Sequence, residues 1–294
     1  MITFLQLGKF GRFGNQLFQY AALRTLGLKK KCEIGIPNLN KVSHHNQNNL
    51  LKYLSIPSDF FGKAKFYHKI IQKKFVLNES TEISDKFYKL EDGTDILGYF
   101  QSIYYFKDYE DLIKKELKPN NNFVFAAQEK INLIKSKYPG YQIVSLHLRR
   151  GDIAPEDNVE KNNDYYGGSF LDLKSMNGLY LKNSKLFFKK KKVKFLVFSG
   201  GSTTSDNNKY DLNWCKENLK GDEYIFLEPQ TTIEDFSLIS ECDHNIISRV
   251  STFGWWAAYL NINKKATIVA PKIYNPLRPA EQRYMFYPEK WTLI

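Results

Sequence analysis

Two periodicities of hydrophobic positions alternate along this chain, and that alternation is its first structural signal. Residues 2–7 and 142–148 are nearly continuous apolar runs, as expected of strands buried on both faces of a parallel sheet. Residues 15–28 instead place Leu17, Phe18, Ala21, Ala22 and Thr25 at helical spacing, with Gly27 near the end of the run. A polar helical stretch over 106–117 is followed by Pro119 and asparagines at 120–122. This break divides the chain into an N-terminal half (1–122) and a C-terminal half (123–294). The second half predicts helices over 124–137, 169–188 (mostly), 212–219 and 255–260, and strands over 142–148, 194–198, 223–227, 244–247 and 267–270. Thr232 reads as the N-cap of one more helix, running to about residue 241, with Asp235 three positions on. Residues 200–208 form a polar, insertion-like loop. Strands alternating with helices predict the α/β class rather than a bundle or an all-β fold.

Composition narrows the function classes. Of the 294 residues, 43% are hydrophobic and 15% aromatic, enough apolar surface for one large or two medium domains and too much for a disordered chain. Cys32, Cys215 and Cys242 are too few and too far apart for a disulfide framework or a cysteine-based zinc site, which favours a reducing compartment. No apolar stretch reaches the roughly 18 residues of a bilayer span, and the first residues read as a strand rather than a signal peptide. A cytoplasmic protein is expected. The 43 Lys and Arg exceed the 31 Asp and Glu, giving a net charge of +12. Nucleic acid, an anionic membrane surface and a phosphate-bearing substrate are the partners such a charge suggests. Lysine runs at 29–31 and 189–192 read first as solvated helix ends, and secondly as contacts for peripheral attachment at the inner membrane surface. They lack interleaved aromatics, and no nucleic-acid-binding signature occurs, so a basic nucleic-acid-binding protein is the disfavoured alternative.

Three segments carry candidate chemistry. His147-Leu148-Arg149-Arg150-Gly151-Asp152 closes the 142–148 strand, at the sheet edge where open α/β folds bind ligands. Arginine's planar fork suits bidentate phosphate binding. Strand alternation turns His147 and Arg149 one way and Leu148 and Arg150 the other, so one arginine can face a diphosphate while the other pairs with Asp152 or braces the loop. A surface ion-pair cluster is the plain alternative. Gly8-Lys9-Phe10-Gly11-Arg12-Phe13-Gly14-Asn15-Gln16 joins the first strand to the first helix; it allows close backbone approach to an anion, or is a simple connection. In Ser248-Arg249-Val250-Ser251-Thr252-Phe253-Gly254-Trp255-Trp256, hydroxyls at a helix start suit phosphate oxygens while the tryptophans pack. His44-His45 lacks neighbours at metal-ligand spacing. No H-E-x-x-H, G-x-S-x-G or D-x-D occurs, leaving hydrolase and metal-dependent retaining chemistry without support.

Taken in order, these segments resemble the alpha-1,2-fucosyltransferase family. The likeness runs through Gly11-Arg12-Phe13-Gly14-Asn15-Gln16-Leu17-Phe18-Gln19-Tyr20-Ala21, Gly98-Tyr99-Phe100-Gln101-Ser102 and the H-x-R-R-G-D element at 147–152. It continues in Trp214-Cys215-Lys216, Cys242-Asp243-His244, Ser251-Thr252-Phe253-Gly254-Trp255-Trp256 and Ala270-Pro271-Lys272. The resemblance implies a GT-B-like fold of two Rossmann-like halves facing a cleft, the first on the acceptor side and the second binding the donor, with a C-terminal tail that can pack back on the first. It implies transfer of L-fucose, with inversion and without metal, from GDP-fucose to a galactose-containing acceptor glycan; another nucleotide sugar is the alternative. The donor-binding residues it points to are Gly11, Gly14, Asn15, Gln16, His147, Arg149, Arg150, Ser248, Ser251, Thr252 and Phe253. With no D-x-D, Arg149 and Arg150 are left to neutralise the leaving GDP. Asp152, Glu156 and Asp157 are the candidates for the base, Asp152 being equally suited to orienting an arginine. The third block departs from the family pattern by one extra residue, and Arg249 there either helps bind the diphosphate or bulges outward.

Overall fold

A computed structural model describes residues 1–38, 50–65, 67–77, 83–151, 167–201, 208–273 and 286–294. The chain forms two compact units, the first Met1–Asn120 with Pro279–Glu289, the second Asn121–Arg278 with Lys290–Ile294. Each is built on its own sheet, and every strand pair in both sheets is parallel.

The first unit contains β1 (Ile2–Thr3), α1 (Phe13–Lys30), β2 (Ile34–Gly35), α2 (His68–Ile71), β3 (Lys73–Val76), β4 (Thr94–Leu97) and α3 (Glu110–Leu117), with strand order β2-β1-β4-β3. Helix α1 is buried on nearly all sides: Leu17, Phe18, Tyr20, Ala21, Ala22, Leu23 and Leu26 have no exposed surface. Lys31 ends it in the left-handed region (φ 53°), returning its N–H to Gly27 and so satisfying the last-turn carbonyls. The 2–7 run yields only a two-residue strand, because the chain turns at Leu7 and Lys9 back onto Phe4 and Gln6. A buried triad fastens α1 to α3: Glu116 accepts from Tyr20 Oη at 2.7 Å and from both Nε and Nη2 of Arg24 at 2.9–3.1 Å.

The second unit contains α4 (Asn121–Lys137), β5 (Gln142–Arg149), α5 (Met176–Phe187), β6 (Val193–Gly200), α6 (Lys209–Asn218) and β7 (Tyr224–Ile225). It continues with α7 (Thr232–Glu241), β8 (His244–Ile246), α8 (Thr252–Tyr259), β9 (Ile268–Ala270) and β10 (Thr292–Leu293). Its strand order is β10-β9-β8-β5-β6-β7. Strand β5 is central, in register with β6 from Gln142↔Val193 to Arg149↔Gly200. Its apolar run packs into the core with Val197, Ile246 and Val269. A polar network crosses that core: Asn245 donates to Ser145 Oγ and to the Ile239 carbonyl, each at 2.8 Å, tying β5, β8 and α7 together.

Several helix boundaries differ from the sequence reading, and capping explains most of them. Of the 169–188 stretch, only Met176–Phe187 is helical, since Ser175 accepts from Gly178 N and starts the helix there. Helix α8 begins three residues before Trp255 because Ser251 caps it. Helix α7 is capped by Thr231, not Thr232: Thr231 and Glu234 form the reciprocal box, which frees Asp235 to turn inward. Among the described residues, no helix is long and apolar enough to cross a membrane.

Candidate active site

The carboxyl edge of the second unit's sheet gathers the charged chemistry. Strand β5 is buried from Ile143 to Leu148 and delivers His147, Arg149 and Arg150 at its end. The two arginines part ways. Arg150 is fully buried: its guanidinium lies 3.6 Å from the centre of the Trp214 ring, and its Nε stands 3.5 Å from Asp211 Oδ1. That same oxygen accepts the Gly151 N–H at 3.0 Å. Asp211 and Trp214 lie three residues apart on one face of α6, so a single helical turn clamps both the guanidinium and the backbone that follows it. Arg149 is half-buried. Its Nη1 donates to the carbonyls of Gly200, at 2.9 Å, and of Arg150, while its N–H donates to Ser248 Oγ at 3.0 Å. The guanidinium crosses Gly201 so closely that a Cβ there would sit 1.5 Å from Nη1, and the glycine holds φ 114°. Glycine is required at 201 on both counts.

His147, which strand alternation places on the same side of β5 as Arg149, is buried against the start of α8. Burial, reinforced by the Arg149 charge, lowers its pKa to about 3, so the ring is neutral. Its Nδ1 has no hydrogen-bond partner, and a Cβ on Gly254 would lie 2.8 Å from it. The ring faces Phe253, which in turn meets Phe236 of α7. Beside Phe236, Asp235 is buried and accepts from Asn208 Nδ2 at 2.5 Å; burial raises its pKa to about 8. The capping pattern hid this buried carboxyl, because in sequence Asp235 reads as one more first-turn acid.

In the third segment, Ser248 and Ser251 are buried, whereas Thr252 and Phe253 are half-buried at the first turn of α8. Ser251 Oγ accepts from Gly254 N at 3.1 Å, so this hydroxyl caps the helix. Trp255 and Trp256 have no exposed surface; Trp255 stacks on Tyr259 and meets Trp291 at a tilt, and Trp256 meets Tyr259 edge-on. In the same loop Val250 sits in the left-handed region (φ 52°), a strained state for a β-branched side chain. Arg249 does not bulge outward: it is buried, its Nε donating to Asn177 Oδ1 at 3.3 Å and its Nη1 to the Ile273 carbonyl.

The glycine-rich segment belongs to the first unit. Gly11 has φ 82°, and a Cβ on it would meet Asn15 and Tyr99 at 2.8–3.0 Å. Gln16 donates to the Gly11 carbonyl at 2.9 Å, Gln101 Nε2 donates to Asn15 Oδ1 at 2.7 Å, and Phe10 stacks on Tyr99 at 4.4 Å. Gly14 lies buried in the first turn of α1. Asp152, Glu156 and Asp157 lie outside the described residues. Asp211, Trp214 as Arg150's partner, and Asp235 are the site groups that motif reading did not identify.

Two parallel-sheet α/β units, the second with paired arginines at the carboxyl end of its central strand, place this fold in the GT-B class. It is similar to the crystal structures of POFUT1 in complex with GDP-fucose (TM-score 0.51) and with GDP (TM-score 0.50). Each is 13% identical, covering 91% of this chain and 97% of the other. The chain belongs to glycosyl transferase family 11, whose model matches residues 5–294. It is 26% identical to galactoside alpha-(1,2)-fucosyltransferase 1 of Aotus azarae over 261 residues, 85% of this chain but 63% of the relative's length. It is also 26% identical to the alpha-1,2-colitosyltransferase of Escherichia coli, covering 97% of this chain and 96% of that one.

Proposed function

We propose that this protein transfers L-fucose from GDP-fucose to the 2-hydroxyl of a galactose unit in an acceptor glycan, inverting the anomeric centre without a metal ion. The observation that carries this reading is the arginine pair at the end of β5 beside the capped start of α8, in a chain of a glycosyltransferase family with alpha-1,2-fucosyltransferase relatives. In an inverting transfer the acceptor oxygen attacks the anomeric carbon as the bond from that carbon to the β-phosphate oxygen breaks. Negative charge then builds on the departing diphosphate. Arg149 meets it with a guanidinium already held by the Gly200 carbonyl, so little reorganisation is needed when the charge develops. Arg150, locked by Asp211 and Trp214, fixes the turn that aims Arg149. The positive end of the α8 dipole adds to the same field. The acceptor's proton goes to a carboxylate of the segment that follows Arg150, with Asp152, Glu156 and Asp157 as candidates. Single-turnover rates and GDP affinity for Asp152→Asn, Glu156→Gln and Asp157→Asn separate a base, which changes only the rate, from an arginine-orienting carboxylate, which changes both. Unimpaired turnover in all three places the base elsewhere.

The colitosyltransferase relative, matched over nearly its whole length, favours a second donor reading. Colitose is L-fucose lacking the 3-hydroxyl, so the two readings share the nucleotide and differ in one sugar contact. Thermal-shift titration with GDP, UDP, ADP and single-stranded DNA in EDTA tests the nucleotide, since saturation at a hundred times Kd stabilises by about 2.7 kcal/mol. The expected outcome is a strong shift with GDP alone. A larger shift with UDP, ADP or DNA overturns the reading, and turnover lost in EDTA and restored by magnesium overturns its metal-free part. Transfer rates with GDP-fucose against GDP-colitose then decide the sugar.

A further inference from the structure

We propose that the exposed face of α5, with the turn before it and the lysines after it, is a docking surface for an anionic lipid bilayer. Leu171, Leu173, Leu179, Leu186 and Phe187 are each between 46% and 57% exposed, a concentration of large apolar side chains in 17 residues of a folded surface. Leu179, Lys182 and Leu186 follow one another at three- and four-residue spacing, so they share one side of the helix. The opposite side is anchored. Tyr180 donates its hydroxyl proton toward the carbonyls of Ile247 and Val269, and Ser184 bonds the Tyr180 carbonyl. The preceding turn lies flat on the helix start: a Cβ at Gly178 would come within 2.0 Å of the Asp172 carbonyl oxygen. Large apolar side chains are thus exposed from 171 to 187 on and before a helix fixed by its buried residues, and a 12-residue helix is about 18 Å long.

Charge selects the occupant. Lys174, Lys182 and the four lysines at 189–192 are all exposed along the strip, with Asp172 the acid among them. Six cations fall within the four to eight of an anionic-lipid patch. Both lysine runs place one ammonium over a ring, Lys29 over Tyr88 at 4.1 Å and Lys191 over Phe188 at 5.4 Å, but Lys29 is also ion-paired with Asp108. Aliphatic side chains among lysines suit a bilayer interface, where the former enter the acyl boundary and the latter reach headgroup phosphates. A protein interface core is depleted in lysine, and nucleic acid would be met by stacking aromatics.

Flotation of the full chain with phosphatidylcholine vesicles, with and without phosphatidylglycerol, tests the surface. The expected result is binding to the phosphatidylglycerol vesicles only. Leu186→Ser with Phe187→Ser weakens it about tenfold, from lost apolar burial. Lys189→Gln with Lys190→Gln, which alters no core side chain, weakens it about 25-fold, at roughly fivefold per lysine. The GDP shift should stay at its parental value in both variants, and the thermal midpoint in the lysine variant, whose side chains are exposed. No binding to anionic vesicles, binding insensitive to the apolar pair, or displacement of the vesicles by double-stranded DNA or an acidic protein overturns the proposal.

Discussion

Two turns follow the first strand of their respective units, and they are held together by different forces. After β1, the glycine-rich turn is closed by neutral groups. Gln16 and Gln19 bond the carbonyls of Gly11, Phe10 and Gly98, and Phe10 stacks on Tyr99. After β5, the turn is closed by charge, with a buried guanidinium between a carboxylate and an indole ring. Neutral closure yields a rigid shape at modest cost when any one bond is lost, since a hydrogen bond is worth about 1 kcal/mol. Charged closure in a low-dielectric interior is less forgiving, because removing one partner strands the other. Rigidity of shape is achieved in both units; a preorganised positive field is built in the second.

The largest expected effect breaks that contrast where it is sharpest. Asp211→Ala should destabilise the second unit by about 3–5 kcal/mol, against about 1 kcal/mol for Gln16→Ala in the first. Urea unfolding of the two variants side by side measures it, and equal losses would mean that Arg150 is not held by charge. Next in size is the effect on turnover. Arg149→Lys keeps the charge but loses the fork, and should slow transfer at least about tenfold, a charge-assisted contact being worth about 1.5–3 kcal/mol. Gly201→Ala should displace the same guanidinium and weaken GDP binding by a similar factor, while Gly93→Ala, where no atom lies within 4 Å of the added carbon, leaves it unchanged. Near-parental rates and GDP affinity in both Arg149→Lys and Gly201→Ala would remove Arg149 from the donor site.

A pH series sharpens the picture of the second unit's sheet edge. His147 has a folded pKa near 3, well below its unfolded value, so its contribution to stability is lost as pH falls from about 6.5 to 3. Asp235 has a folded pKa near 8, above its unfolded value, so its contribution is lost as pH rises from about 4 to 8. Between about pH 4 and 6.5 the two slopes oppose each other. His147→Gln should tilt the stability profile downward with rising pH across that window, and Asp235→Asn should tilt it upward. Parallel profiles for all three proteins would show that neither group is buried as described. The smallest effect concerns the loop before α8: Val250→Gly should stabilise the protein by about 1 kcal/mol, because glycine holds φ 52° without strain. A loss of stability would instead mark the isopropyl group's packing as dominant.

What the sequence by itself determined is whatever rests on local pattern over a long enough run. Strand β5 and helices α1 and α4 were legible because eight to eighteen residues repeat one period. The arginine pair was legible because a motif at the end of such a strand has its position fixed by the strand. Strands β2, β3 and β4 left no signal: two to four residues carry no period, and β3 is an edge strand with a largely exposed face. Tertiary structure alone decided the rest. The T-x-x-E spacing that makes Thr231 the cap stands in the sequence, but the contact of the next residue, Asp235, with Asn208 is a tertiary one that no local pattern announces. In the same way, alternation put Arg149 and Arg150 on opposite sides of β5, but only α6, brought alongside from 60 residues away, determined that Arg150 would be enclosed by Asp211 and Trp214. Burial and partner charge are sums over the whole fold, and no local pattern encodes them.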